Sequence, residues 1–281
     1  MSRSGLTSMA ADRPLTSFRL LSFDIYGTLV DWETGIHEAL KPLVSRLPDN
    51  HPLRSDHLAL GKAFGKHERG LQTTQPRLTY DHVLKTAYEQ LAKELHVVPQ
   101  GNDAEHLLDE EACMFAASIA TWPPFPDTVD AMRRLKKRFK LVPVSNVDRA
   151  SFEKTLHGPL DGVHRDLMAG GPFFDAIYTA QDIGSYKPDL RNFEYLISHV
   201  KEEFGVEKED ILHVAQSLHH DHEPAKKIGL SSAWIARGDG GQSGMGGEVK
   251  EYIQTGRVAF GWQFRSLAEL ADAVDREGTN S

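Results

Sequence analysis

Cysteine is nearly missing from this sequence. Cys113 is the single cysteine among 281 residues, so no disulfide can form within the chain. Absence of disulfides suits a reducing compartment, and we expect a cytoplasmic protein. The neighbours of Cys113, which are Ala112, Met114 and Phe115, are apolar. This setting predicts that Cys113 is a buried packing residue and not a nucleophile.

Long apolar runs and an excess of positive charge are also missing. No run approaches the roughly 20 apolar residues of a membrane span. Residues 1–16 lack the apolar stretch of a secretory signal, and we expect them to form a flexible N-terminus. The formal net charge of −8 argues against a general nucleic-acid binder, although a local positive pocket for a small anion stays open. We therefore expect neither nucleic acid nor a membrane as partner, and a homodimer is left open.

Short apolar segments alternate with helical patterns along most of the chain. Residues 18–24 are typical of a buried strand that ends on a carboxylate, and residues 128–139 have apolar residues at helical spacing with a basic last turn. Such alternation predicts a parallel sheet with helices on both faces. Further strands are predicted at 140–146, 176–180, 211–217, 231–237 and 258–262, and further helices at 190–204, 223–228 and 266–274.

The segment 33–117 differs from the rest because it contains helical patterns, such as residues 80–95, and no convincing strand. We predict a helical domain over 33–117, inserted after the first strand into a discontinuous core of residues 17–32 and 118–281. The glycine-rich residues 238–247 lack the Gly-Lys-Ser/Thr ending of a phosphate-binding loop, which predicts a flexible loop without a nucleotide.

Polar side chains follow the ends of several predicted strands. In an open parallel sheet, ligands bind at the carboxyl ends of the strands. Each residue alone could be a helix cap, a turn former or a solvated charge. Their joint placement at strand ends predicts a shared site. These residues are Asp24, Ser145, Asn146, Lys187, Gln216, Ser217 and Asp221.

Four segments resemble the motifs of the haloacid dehalogenase superfamily. Their order and spacing agree over residues 18–270, and the helical insert lies where the family has its cap domain. The resemblance implies an α/β fold with a Rossmann-like parallel-sheet core and a helical cap. The matching segments are FDIYGTLVD at 23–31, Ser145-Asn146, YKPD at 186–189 and the stretch around Asp221.

Tyr26 distinguishes two chemistries within that superfamily. Phosphatases carry a second aspartate at this position, which protonates the leaving group, whereas 2-haloacid dehalogenases resemble this sequence in having tyrosine there. Ala215-Gln216 also replaces the acidic pair that many phosphatases use for magnesium. The resemblance therefore implies a hydrolase that removes halide from a small 2-haloalkanoic acid without a metal or other cofactor. A magnesium-dependent phosphatase using Asp24 and Asp221, and a homologue without catalytic activity, are left open.

The resemblance also implies a role for each residue. Asp24 attacks the carbon that bears the halogen and forms an ester. Lys187 keeps Asp24 ionised by lowering its pKa, and Asp221 acts as a base or positions the water that hydrolyses the ester. Thr28, Ser145 and Asn146 orient Asp24 and the substrate, and the small anionic substrate is contacted by Tyr26, Asn146, Ser217 and Tyr80.

Two positions depart from the family pattern. The cap arginine that binds the substrate carboxylate is missing near residues 61–63, where Lys62, Lys66 or Arg69 is the expected substitute, although lysine lacks the fork of arginine. Leu218 replaces the usual asparagine of the fourth motif. The run of histidines at 219, 220 and 222 is interpreted as a polar loop, since adjacent turn residues rarely point at one metal ion.

Overall fold

A computed structural model describes residues 13–164, 172–238 and 249–279. The strands are β1 (Leu20–Phe23), β2 (Lys140–Ser145), β3 (Tyr178–Thr179), β4 (Ile211–Ala215), β5 (Ser231–Ile235) and β6 (Trp262–Phe264). They form one parallel sheet in the order β3-β2-β1-β4-β5-β6. Every residue of β1 and β4 is buried, as expected for strands covered on both faces by helices.

The order of the strands places a crevice beside β1. The chain runs outward from β1 through β2 and β3 and then returns to the other side of β1, where β4 follows. Such a reversal opens a crevice at the carboxyl ends of the two flanking strands. Because Phe23 lies opposite Val214 in the β1–β4 pair, the residues that follow both strands meet at this crevice.

In chain order, one group of helices lies between β1 and β2, and the second group follows β2. The first group is α1 (Trp32–Ala39), α2 (Lys41–Ser45), α3 (His57–Thr74), α4 (Tyr80–Glu94), α5 (Ala104–Ala117) and α6 (Thr128–Lys136). The second group is α7 (Arg149–His157), α8 (Asp161–His164), α9 (Ala180–Ile183), α10 (Arg191–Phe204), α11 (Glu223–Ile228), α12 (Val249–Gln254) and α13 (Leu267–Thr279).

The helical insert has its own aromatic packing and a polar link to the sheet. Phe64 of α3 and Tyr88 of α4 both pack against Phe115 of α5, with ring centroids 5.1 and 5.2 Å apart. Asp148, the N-cap of α7, accepts hydrogen bonds from the backbone of Ser151 at 2.9 Å and of Tyr80 at 2.8 Å. One carboxylate therefore fixes the start of α4 against the start of α7.

The predicted α/β class with a parallel sheet is confirmed, and so is the helical character of the insert. The bounds of the two domains stay a prediction. The last strand is shifted, since β6 begins at Trp262 where the predicted strand ends. The loop predicted at 238–247 lies outside the described residues from position 239 onward, as do the first twelve residues of the predicted flexible N-terminus.

The prediction that Cys113 is buried is wrong, because its side chain is exposed. The inward face of α5 is formed by Ala112, Phe115 and Ala116, so helical spacing turns Cys113 and Met114 toward solvent. An apolar neighbourhood in the sequence therefore did not indicate the buried face of this helix. Among the described residues, no helix combines the length and the apolar character needed to cross a bilayer.

Candidate active site

Asp24 directly follows β1 and is held from both sides. Its backbone N–H donates to the carbonyl of Val214 in β4 at 3.1 Å, which continues the sheet by one residue. Its Oδ2 accepts from the hydroxyl of Thr28 at 2.8 Å, and Thr28 Oγ1 accepts from the backbone N–H of Gln216 at 2.9 Å. Gly27 permits the tight turn between these residues, with a φ of +92° that favours glycine.

Lys187 lies between two carboxylates. Its ammonium nitrogen is 2.8 Å from Asp24 Oδ1 and 2.7 Å from Asp221 Oδ1. Asn146 fixes the backbone of Lys187, since its Oδ1 accepts from the Lys187 N–H at 2.7 Å and its Nδ2 donates to the Lys187 carbonyl at 3.0 Å. The residues predicted at the ends of three strands are thus joined through the ammonium group and the backbone of one lysine.

Asp221 is completely buried and is held by His213 as well as by Lys187. His213 Nε2 lies 2.9 Å from Asp221 Oδ1, and its Nδ1 lies 2.8 Å from Ser22 Oγ. An ionised Asp221 requires a proton on His213 Nε2. Asp221 Oδ2 has no hydrogen-bond partner among the described residues. One acceptor oxygen of Asp221 is therefore left unsatisfied by the side chains and backbone of the described residues.

The two carboxylates differ in acidity. The pKa of Asp24 is raised, because burial and the negative charge of Asp221 together outweigh Lys187 and Thr28, which lower it. The pKa of Asp221 is lowered, because Lys187 and His213 outweigh its burial. The prediction that Lys187 holds the pKa of Asp24 below its ordinary value is therefore wrong in its net direction, although the lysine acts in the predicted sense.

A small cavity lies over Asp24. It encloses about 40 Å³, room for roughly three water molecules. Residues from the strand ends form one wall, and α3 and α4 supply the opposite wall. The lining residues are Asp24, Tyr26, Trp32, Glu68, Gln72, Tyr80, Asn146, Lys187, Gln216, Ser217, His220 and Asp221.

Tyr26 lines this cavity with its ring, while its hydroxyl is engaged elsewhere. The hydroxyl lies 2.6 Å from Thr155 Oγ1. Burial raises the pKa of Tyr26, so this phenol is a poor proton donor. The Tyr26 ring packs edge-on against Trp122 and lies near Tyr80, with centroids 5.6 and 6.2 Å away.

Most of the predicted site residues converge, and two have a less direct position. Thr28 donates a hydrogen bond to Asp24 Oδ2 but does not line the cavity. Ser145 also does not line it, and its buried hydroxyl has no partner among the described residues. Ser217 lines the cavity and lies 3.1 Å from His220 Nδ1. The catalytic and binding roles of these residues stay predictions.

The expected substitutes for the missing arginine are not part of the lining of the cavity over Asp24. Lys66 pairs with Glu94 at 3.0 Å on the surface of the insert. Arg69 lines a neighbouring cavity of about 380 Å³. Neither Arg69, Lys62 nor Lys66 lines the cavity over Asp24. Lys187 is therefore the single cation among the described residues that line it.

Sequence reasoning missed Glu68 and His213. Glu68 lies on the buried face of α3 between Phe64 and Leu71, and a carboxylate at an apolar helical position was the available signal. His213 interrupts the apolar run of β4. Its contact with Asp221 depends on the turn after the strand, which no local pattern predicts.

The histidines at 219, 220 and 222 do not form a metal centre in the part of the chain that is described, where no group of three metal-binding side chains is found. His222 Nε2 donates to the Ala215 carbonyl at 2.9 Å and its Nδ1 lies 2.9 Å from Ser232 Oγ. Burial lowers the pKa of His220 to about 3 and of His222 to about 4. Both rings are therefore neutral at physiological pH.

Comparison with known proteins gives a family and several distant relatives. The family model of a haloacid dehalogenase-like hydrolase matches residues 18–229. The putative HAD-hydrolase YfnB of Bacillus subtilis is 25% identical over 268 residues, which are 94% of this chain and 98% of YfnB. A crystal structure of YfnB bound to magnesium has a TM-score of 0.63 at 22% identity, covering 92% of this chain and 99% of that chain.

Two further relatives are similar over about half of the chain. A glyceraldehyde 3-phosphate phosphatase of Methanocaldococcus jannaschii is 28% identical over 122 residues, 43% of this chain and 47% of that protein. An (S)-2-haloacid dehalogenase of Pseudomonas putida is 28% identical over 145 residues, 51% of this chain and 58% of that protein. The two relatives carry different chemistries at equal identity, so the choice between them depends on the site.

Proposed function

The chain belongs to the haloacid dehalogenase-like hydrolases, and we propose that it hydrolyses the carbon–halogen bond of a small 2-haloalkanoic acid. The observation that carries this proposal is the ammonium group of Lys187 between Asp24 and Asp221, at 2.8 and 2.7 Å. It supplies the positive charge that two buried carboxylates require, so Asp24 and Asp221 are balanced by a side chain of the protein. The proposed reaction needs no metal and no other cofactor.

The first step uses Asp24 as the nucleophile. A carboxylate oxygen attacks the carbon that bears the halogen, the new C–O bond forms, and the halide leaves with the electron pair of the broken bond. Halide needs no proton to leave. Tyr26, whose hydroxyl is bound to Thr155, is therefore compatible with this chemistry and poorly suited to an alkoxide leaving group.

The second step is hydrolysis of the Asp24 ester. Water attacks the carboxyl carbon of Asp24, which releases the 2-hydroxy acid and regenerates the carboxylate, with one proton passing to solvent. The unpartnered Oδ2 of Asp221 supports a role for this residue in positioning the water. Its lowered pKa makes Asp221 a weak base, so positioning is the role that we assign to it.

Chloride release from 2-chloropropionate, measured with and without EDTA, tests the proposal. We expect release that chelation leaves unchanged. Absence of chloride release would contradict the proposal, and so would release that EDTA abolishes.

A magnesium-dependent phosphatase is the second candidate, favoured by the similarity to the glyceraldehyde 3-phosphate phosphatase. Oxygen ligands for magnesium would come from Asp24 and Asp221, with Lys187 displaced from between them. A panel of phosphate esters with added magnesium tests this candidate. Turnover confined to those esters would replace the first proposal by the second.

A further inference from the structure

Glu68 is a buried carboxyl group with one free oxygen. Its residue exposure is 1%. Oε1 accepts from the hydroxyl of Tyr80 at 2.8 Å and from Gln72 Nε2 at 3.3 Å. Oε2 is buried and has no hydrogen-bond partner among the described residues. A buried carboxyl oxygen without a partner costs stability, so its retention calls for a function.

Glu68 shares the small cavity with the nucleophile. It lines the same 40 Å³ space as Asp24, and it comes from α3 of the helical insert. A substrate whose reacting carbon lies at Asp24 has its other end close to α3 in so small a space. The titratable and charged groups that share the cavity with Glu68 are Asp24, Tyr26, Tyr80, Lys187, His220 and Asp221.

The protonation of Glu68 changes near neutral pH. Burial raises its pKa to about 7, while the hydrogen bond from Tyr80 and the charge of Arg69 act in the lowering direction. Lys187, the cation of the cavity, already binds Asp24 and Asp221. Glu68 therefore passes from a neutral donor to a negatively charged acceptor within the physiological range.

We propose that Glu68 is the specificity-determining residue of the helical insert and that its Oε2 forms a hydrogen bond with the polar group of the substrate that lies away from the reacting carbon. Protonated Glu68 donates to the carboxylate of a 2-haloalkanoic acid. Ionised Glu68 repels a carboxylate but accepts from the N–H of a 2-haloalkanamide. This inference rests on the proposed dehalogenase function and adds that neutral amides are a second substrate class of the same site.

The test compares 2-chloropropionate with 2-chloropropionamide as substrates of the wild type and of Glu68→Gln. The measured quantity is the ratio of kcat/KM for the acid to kcat/KM for the amide. We expect the ratio to fall about a hundredfold between pH 6 and pH 8 in the wild type, because for a group with a pKa of about 7 the protonated fraction falls about tenfold while the ionised fraction rises about tenfold. Glu68→Gln should give a ratio that does not change with pH.

Glu111→Gln is the matched control. Glu111 is another glutamate of the insert that accepts from a tyrosine, Tyr88, at 2.8 Å. It does not line the cavity over Asp24. Its variant should keep the wild-type pH dependence of the ratio. Equal pH dependence in the wild type and Glu68→Gln would overturn the proposal.

Failure of Glu68 as a specificity residue is distinguishable from failure of the dehalogenase function. Titration calorimetry with lactate and lactamide, the two expected products, measures binding without turnover. In one outcome, neither substrate releases chloride, but lactate binds the wild type more weakly at pH 8 than at pH 6, and Glu68→Gln shows no such change. The dehalogenase function would then be wrong, and the role of Glu68 in specificity would be supported. Binding of lactate and lactamide that changes neither with pH nor with Glu68→Gln would overturn the inference. Accumulation of ester in Glu68→Gln with an unchanged ratio would place Glu68 on the hydrolytic water and would also overturn it.

Discussion

The two walls of the cavity treat their carboxyl groups differently. On the wall formed by the strand ends, Asp24 and Asp221 share the ammonium group of Lys187. On the wall formed by the insert, Glu68 accepts hydrogen bonds from a tyrosine and an amide and forms no ion pair with any of the described residues. The first wall pairs its buried carboxylates with a cation. The second wall holds a carboxyl group that is readily protonated, because its pKa is raised. Reaction chemistry and substrate selection are therefore separated between the two walls.

A second glutamate–tyrosine pair of the insert differs from Glu68 in having an arginine partner and in being less buried, with 25% of the Glu111 side chain exposed. Glu111 accepts from Tyr88 as Glu68 does from Tyr80, but Arg46 also binds Glu111, at 2.7 and 2.8 Å. The arginine lowers the pKa of Glu111, whereas burial raises that of Glu68. The same residue type thus has opposite shifts in one helical segment.

Removing the nucleophile should have the largest effect. Asp24→Asn should lower kcat by more than roughly 10³-fold, because no covalent ester can form. Steady-state chloride release measures the loss, and circular dichroism checks the fold. Asp189→Asn is the control, since Asp189 binds Arg191 at the surface two residues from Lys187 and should keep its activity. An Asp24→Asn variant with most of its activity would rule out the covalent mechanism.

Removing the cation from the first wall should affect stability most. Lys187→Met leaves Asp24 and Asp221 buried without their shared charge, so the free energy of unfolding should fall by about 3–5 kcal/mol. Urea unfolding at pH 7.5 measures this loss. A lower pH should reduce it, because protonation of a carboxyl relieves the repulsion. A loss below about 1 kcal/mol, the value of an exposed pair, would show that the lysine does not balance these charges.

Glu68→Gln should change how stability depends on pH. The pKa of Glu68 is about 7 in the folded protein against an ordinary value of 4.5, so its contribution is complete below pH 4.5 and is lost as the pH rises through 7. The wild type should therefore lose up to about 3 kcal/mol relative to Glu68→Gln between pH 4.5 and pH 8.

Glu111→Gln should change the pH dependence of stability in the direction opposite to Glu68→Gln. The pKa of Glu111 is lowered, so its contribution is present above its unfolded pKa and is lost as the pH falls. The free energy of unfolding in urea, measured for the wild type and both variants between pH 4.5 and pH 8, checks both expectations. Parallel curves for the wild type and Glu68→Gln would show that the buried carboxyl has an ordinary pKa.

The smallest effect is expected at Tyr26. Tyr26→Phe removes the hydroxyl that binds Thr155, which should cost about 1 kcal/mol of unfolding free energy. The rate of chloride release should stay nearly unchanged, since the ring that lines the cavity is kept. A large loss of kcat with unchanged stability would mean that the phenol takes part in the reaction.

The sequence predicts one wall of the cavity better than the other. Asp24 and Asp221 come after buried strands, and Lys187 lies in a motif that resembles one of the family, so strand order together with the resemblance indicated that they converge. Glu68 gives no such signal, because the face of α3 that is buried depends on how the insert packs. For the same reason the sequence did not show that Lys66 and Arg69 lie outside the lining of the cavity over Asp24.

The source of the product oxygen tests the central claim most directly. In a single turnover of 2-chloropropionate in H₂¹⁸O, the attacking oxygen comes from Asp24, and water replaces it in the carboxylate. We therefore expect unlabelled lactate and one ¹⁸O atom in the peptide that contains Asp24, measured by mass spectrometry. Labelled lactate together with an unlabelled Asp24 peptide would contradict the account.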